Sequence, residues 1–422
     1  MYSVKNSIWV FLLILFAFNN YAQVNDLDQM IGQAILLSPK IKMLEAKRNA
    51  AYSGIDKNSN LPDPVLTLGL VNIPTNSFSF DQDPMTQKIV GVRQTFPFPG
   101  KLGAIEDASA IDTLIIDQEI RDAENEIRKN VSKQYYELSY LKRSIELSKG
   151  SKLLLQDIAK VVSTKYTVGS ASQQNLLKVQ LEITNITEEI DELESRKKTV
   201  FAELNSYLLR DTAIPINTIY FEEIDFIELT TVQLDSLSQI HRPFLKGIQL
   251  AVKKSELNGI AAEKDYYPNI TVGLQYAFRE QLAASGLQLN NLFSLVVGVT
   301  LPFNYGGKVS AKVEEAMSMK QFYSSQYSLA LQILQSNFGG AVANLNSLEE
   351  RIKLFEEGLL PQAKQNLTAT LSHYQVGHID FINVIDAQDQ LIKIETNVYR
   401  LKTNYLKQIS ELEFLIGKTL RN

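Results

Sequence analysis

The sequence predicts a mixed α+β membrane protein made of two copies of one half-molecule, each a helix, two strands and two very long helices. Three observations carry this reading. The chain duplicates itself once. Its strands have one apolar and one small or polar face. Its long helices keep apolar residues at 3-4 spacing over many turns.

The duplication is read from ordered landmarks. Pro243 follows Pro39 by 204 positions, and Pro268 follows Pro64 by the same 204. Pro64-Val65-Leu66-Thr67-Leu68-Gly69-Leu70 matches Pro268-Asn269-Ile270-Thr271-Val272-Gly273-Leu274. Further on the offset settles at 208, pairing Gly150 with Gly358, Tyr166 with Tyr374, Gly169 with Gly377 and Leu204 with Leu412. A period this long is not a solenoid unit, so it marks a duplicated half. The expected division is a signal peptide over 1–22, a first repeat over 23–210, a linker over 211–231 and a second repeat over 232–422.

Each half opens with a helical pattern, Leu27 to Asp56 and Val232 to Lys264, which Pro64 and Pro268 bring to an end because proline cannot continue a helix. Strands are expected at about 65–76, 87–97, 269–279 and 292–302. In the third, Ile270, Val272, Leu274, Tyr276 and Phe278 alternate with small or polar residues, the period of a strand with two unlike faces. A sandwich strand would satisfy the greasy face. The small, polar second face suits a wall between lipid and a water-filled lumen. The long polar links Ile73 to Thr86 and Glu280 to Asn291 suit outer loops of such a barrel.

The helical stretches Ala104 to Lys149 and Lys152 to Leu209 would each run on the order of 70–85 Å at 1.5 Å per residue. Gly150 and the Gly358…Pro361 pair are expected as breaks or bends. Ile183, Ile186, Ile190, Leu193, Val200, Leu204 and Tyr207 hold a coiled-coil seam, as do Leu391, Ile394, Val398, Leu401, Tyr405, Leu412 and Leu415.

Composition excludes several classes. A net charge of −5 over 422 residues lacks the basic surface nucleic acid requires. With no cysteine there is no disulfide, thiolate metal site or lipidated N-terminus. Lys5, the apolar run Ile8 to Phe18 and the small Ala22 read as a secretory signal peptide, with the mature chain beginning near Gln23. No later apolar run reaches the length of a membrane-spanning helix, so a membrane location requires a closed β-barrel. No paired catalytic carboxylates, nucleophile elbow or phosphate loop stands out, and no enzyme, cofactor or metal site is expected. His373 and His378 are i and i+5, a poor spacing for one ligand face on a helix. Met317 and Met319 point to different helix faces.

Tyr166-Thr167-Val168-Gly169 with Leu176, Leu177 and Gln180, and Tyr374-Gln375-Val376-Gly377 with Val384-Ile385-Asp386-Ala387-Gln388, resemble the Y-x-x-G…VLDAQ signature of the TolC family of outer-membrane efflux proteins. Leu61-Pro62-Asp63-Pro64 and Gln94 to Leu102 are similar to its heavy-metal cation branch. The resemblance implies a homotrimer: twelve strands, four per chain, closing an outer-membrane barrel continuous with a long periplasmic coiled-coil α-barrel. It implies a passive export duct for heavy-metal cations or drugs. Its partners would be a periplasmic adaptor (membrane fusion protein), an inner-membrane pump of the RND type and outer-membrane lipid. Asp386 falls where the family places an acidic periplasmic gate ring, with Asp380 and Asn383 beside it. Val168, Gly169, Ser170, Val376 and Gly377 fall at tips that meet the adaptor. The alternatives are a periplasmic coiled-coil scaffold, which leaves the strands unexplained, and the outer-membrane duct of a type I secretion system.

Overall fold

The computed structural model describes residues 26–218, 221 and 223–420. The expected signal peptide lies outside the described residues. Two helices, α1 (Leu27–Leu37) and α2 (Pro39–Ser59), precede β1 (Val65–Val71) and β2 (Gln87–Phe96). The long α3 (Lys101–Thr167) and α4 (Gln173–Tyr207) complete the first half. The second half repeats the plan with α5 (Thr231–His241), α6 (Pro243–Glu263), β3 (Asn269–Phe278), β4 (Leu292–Thr300) and α7 (Lys308–Lys353). A π-helical turn (Leu354–Leu359) then leads into α8 (Leu360–Gln375) and α9 (Phe381–Ile416).

Several boundaries differ from the sequence reading. The opening helix of each half is two helices. Ser38 (φ −56°, ψ 120°) and Arg242 (φ −67°, ψ 118°) leave the helical region because each precedes a proline, whose ring crowds the residue before it. The first strand stops at Val71 instead of reaching 76. Asn72 takes φ 55°, and its side-chain amide donates to the Met85 carbonyl at 3.2 Å, which turns the chain out of the ladder. Gly150 does not break its helix: α3 runs unbroken for 67 residues, about 100 Å at 1.5 Å per residue. One glycine costs only about 1 kcal/mol in a helix interior, too little against the packing of so long a segment. The break in the first half lies at 168–172 instead. In the second half, Pro361 supplies no N–H for the ordinary helical bond, and the π-helical turn Leu354–Leu359 lies just before it.

The chain forms two compact units. One comprises Met43–Arg121 and Pro243–Gln332. Its centre is an antiparallel sheet in the order β1-β2-β3-β4. The register lines residues up across all four strands. Leu66, Val92, Leu274 and Leu295 form one row, and Leu68, Val90, Tyr276 and Phe293 the next. All eight are exposed. The alternate rows carry Thr67, Gly91, Gln275 and Ser294, and Val65, Arg93, Gly273 and Val296. The sheet thus has one continuous apolar face and one face of small, polar and charged residues with a few aliphatic ones. Among the described residues, both outer strands, β1 and β4, have an edge that no other strand pairs. Lys47–Glu119 and Lys254–Asp112 ion pairs, each 2.7 Å, and Asp265 between Lys101 and Lys312 tie the helices of this unit together.

The other unit comprises the described residues within 1–42, 122–242 and 333–422. Its core follows the seams: Ile186, Ile190, Leu193, Val200 and Leu204 of α4 and Val398, Leu401, Tyr405 and Leu412 of α9 are buried. The segment after α4 is strapped to this unit by polar side chains. Asn205 donates to the Thr212 and Ile214 carbonyls at 3.0 and 2.9 Å, and Lys142 Nζ donates to the Ile216 carbonyl at 2.7 Å. Among the described residues no helix is long and apolar enough to cross a membrane.

Candidate functional site

The signature residues converge at one end of the helical unit. Leu155, Ile158 and Val162 of α3, Val179, Ile186 and Ile190 of α4, and Phe381, Val384 and Ile385 of α9 form one buried cluster, with Leu371 and Tyr374 of α8 against it. The two turns, 168–172 and 376–380, emerge from this cluster. Lys165 Nζ sits 4.2 Å from the centroid of the Tyr374 ring, which stands 5.5 Å from that of Phe381. Gln388, which falls in the second signature, is buried and donates to Ser151 Oγ at 3.0 Å.

Each turn is a Schellman motif. Gly169 (φ 74°) and Gly377 (φ 77°) supply the left-handed residue. Gly169 N–H donates to the Tyr166 carbonyl and Ser170 N–H to the Lys165 carbonyl, at 3.0 and 2.8 Å. Gly377 N–H donates to the Tyr374 carbonyl and His378 N–H to the His373 carbonyl, at 3.1 and 3.0 Å. A Cβ added at either glycine meets nothing within 4 Å, so backbone conformation alone selects glycine. Val168 and Val376 are 73% and 66% exposed, apolar side chains held at the two tips. Ser170 is exposed beside Val168.

Asp380, Asn383 and Asp386 all lie exposed at the start of α9. Their i, i+3, i+6 spacing gives them one face, opposite the buried Phe381, Val384, Ile385 and Gln388. Asp380 occupies the N-cap position, and Asn383 N–H and side-chain amide both donate to its carbonyl at 3.2 Å.

Sequence reasoning missed Asp389. Burial pushes its carboxyl up to about 6; the Glu182 carboxylate on α4 and Asp386 add to the rise, and Lys393 opposes it. Glu182, Asp389 and Lys393 line a groove of about 600 Å³ with Ile186, Ile392 and Arg400. The folded form binds more protons than the unfolded form between the ordinary value of 3.8 and about 6. Stability therefore falls as pH rises through that window. Asp389→Asn is expected to raise the thermal midpoint at pH 7 and to flatten its dependence between pH 4 and 6. Equal slopes in variant and wild type would show that the carboxyl is not strained. Among the described residues no three His, Asp or Glu side chains are placed to hold a metal ion.

Residues 235–418 match the family described as outer membrane efflux protein. Over 234 residues, 52% of this chain, the sequence is 24% identical to the toxin and drug export protein A of Aggregatibacter actinomycetemcomitans, and it spans about half of that relative's length (49%). The fold matches a crystal structure of CusC with a TM-score of 0.77 at 17% identity, covering 94% of this chain and 93% of that one. It matches the outer membrane protein VceC of Vibrio cholerae with a TM-score of 0.75 at 16% identity, covering 94% and 97%. In its second half the chain matches the outer membrane efflux protein family by sequence, and over nearly all of its length it shares the fold of the CusC and VceC structures.

Proposed function

We propose that the chain is the outer-membrane duct of a tripartite efflux system, a passive channel for heavy-metal cations or drugs, working with a periplasmic adaptor and an inner-membrane pump of the RND type. The observation that carries this reading is the two-faced sheet with two open edges. A sheet edge left unpaired is a template for further strands, and four strands are too few to close a barrel. Three copies supply twelve strands, pair every edge, turn the apolar rows to lipid and enclose the polar rows around water. The relatives named above, a toxin and drug export protein and the CusC channel, favour export over a periplasmic scaffold, which has no use for an exposed apolar sheet. The exposed valines and glycine turns at the tips are the surfaces offered to the adaptor, and Asp386, with Asp380 and Asn383 on its face, is the acidic lining of the periplasmic gate.

One experiment on the purified protein addresses both assembly and gate. The detergent-solubilised particle is expected to have about three times the chain mass of 47.5 kDa, less the signal peptides, and to conduct ions in planar bilayers. Three symmetry-related Asp386 carboxylates favour cations, so Asp386→Asn is expected to lower cation selectivity. A monomer that conducts would overturn the trimer. Unchanged reversal potentials in asymmetric salt would remove Asp386 from the gate.

A further inference from the structure

The two tips share a backbone motif but not its side-chain pair. A Schellman turn folds the residue after its glycine back over the residue three positions before the helix cap, and these two side chains commonly touch. In the first tip that pair is Lys165 and Ser170. In the second it is His373 and His378, whose ring centroids lie 6.1 Å apart with planes inclined by 28°. An i, i+5 spacing is unfavourable on a continuous helix, but α8 ends at Gln375, between the two histidines, and the turn closes the gap.

We propose that His373 and His378 form a binding site for a divalent transition-metal ion, one per chain, at the tip of the second helical hairpin. Two imidazoles sharing one ion through bonds of about 2 Å place their ring centroids about 5–6 Å apart. Both side chains are exposed, so small rotations cover the remaining distance without disturbing packing. The backbone bond between the same two residues, His378 N–H to the His373 carbonyl, fixes their Cα positions, so the ion meets a pair already assembled. Neutral imidazole suits zinc, copper and nickel and does not suit magnesium or calcium. Two protein ligands leave the remaining coordination positions to water. The site stands whether or not the chain works as an export duct, because it rests on the turn alone.

Cu²⁺ binds tightest among these ions and is the probe of choice. Titrated into the purified full-length protein, free of any affinity tag, it is expected to bind at one ion per chain with two imidazole nitrogens in its electron paramagnetic resonance spectrum. His373→Gln and His378→Ser are each expected to weaken binding at least tenfold. The second gives this tip the serine that the first tip holds at Ser170, so the turn itself is preserved. The double substitution Lys165→His, Ser170→His is expected to build a second site in the first tip and raise the stoichiometry to two. Single variants that bind as wild type does would mean independent surface histidines and overturn the proposal. So would the absence of a one-to-one Cu²⁺ complex in the wild type, or a first tip that gains nothing from the paired histidines.

Discussion

Leu274→Arg is expected to prevent stable assembly in the membrane, while Gln275→Arg, one residue away, is expected to be tolerated. Leu274 lies in the row with Leu66, Val92 and Leu295 on the apolar face of the sheet. If that face meets lipid, a charge there costs about 2–4 kcal/mol near the bilayer midplane, and a trimer carries the cost three times. Gln275 faces the other way, in the row with Thr67, Gly91 and Ser294, on the face that already carries the exposed Arg93. Heat-modifiable migration of the outer-membrane fraction, with urea unfolding of the protein refolded into lipid vesicles, measures the difference. Equal tolerance of both substitutions would mean that the apolar rows do not face lipid.

The strands and the duplication were legible because their signals are local. A period of two survives in the sequence whatever the sheet later packs against, and paired prolines mark equivalent points in the two halves. The seams were legible for the same reason: Ile186, Ile190 and Leu204 are buried where 3-4 spacing placed them. Gly150 was misread because a propensity is weak evidence against the packing of a 67-residue helix. Lys402 shows the limit of a seam argument. It is nearly fully buried on α9, with its ammonium 2.6 Å from Glu356 in the π-helical turn, a partner that only the fold brings near. Asp389 was invisible likewise, since its raised carboxyl depends on burial and on Glu182 from another helix. The histidine pair was visible as residues, but its i, i+5 spacing does not describe its geometry, because the helix ends between the two. The tip residues and Asp386 came from the family signature, and their roles rest on that likeness and not on any spacing rule.

Phe381→Ala is expected to destabilise the helical unit by about 3–5 kcal/mol, the usual cost of emptying a buried phenylalanine site. Phe381 is 1% exposed and begins α9 immediately after the second tip. Its ring packs in the cluster shared with Leu155, Ile158, Val162 and Val179 and lies against Tyr374, the single tyrosine of α8. One side chain therefore joins both hairpins and fixes where the second turn leaves the core. Removing it leaves a cavity lined by residues from α3, α4 and α9, on helices too long to collapse freely around it. The loss should be concentrated at this end of the unit. Amide hydrogen exchange is expected to accelerate most over residues 374–388 and around 155–179, while the buried segment about Leu401 and Tyr405 stays protected. Phe381→Leu keeps an apolar side chain of similar volume and is expected to cost less than about 1.5 kcal/mol. If Phe381→Ala leaves exchange at both tips as slow as in the wild type, the turns are held by their own backbone hydrogen bonds, and the aromatic anchor is dispensable.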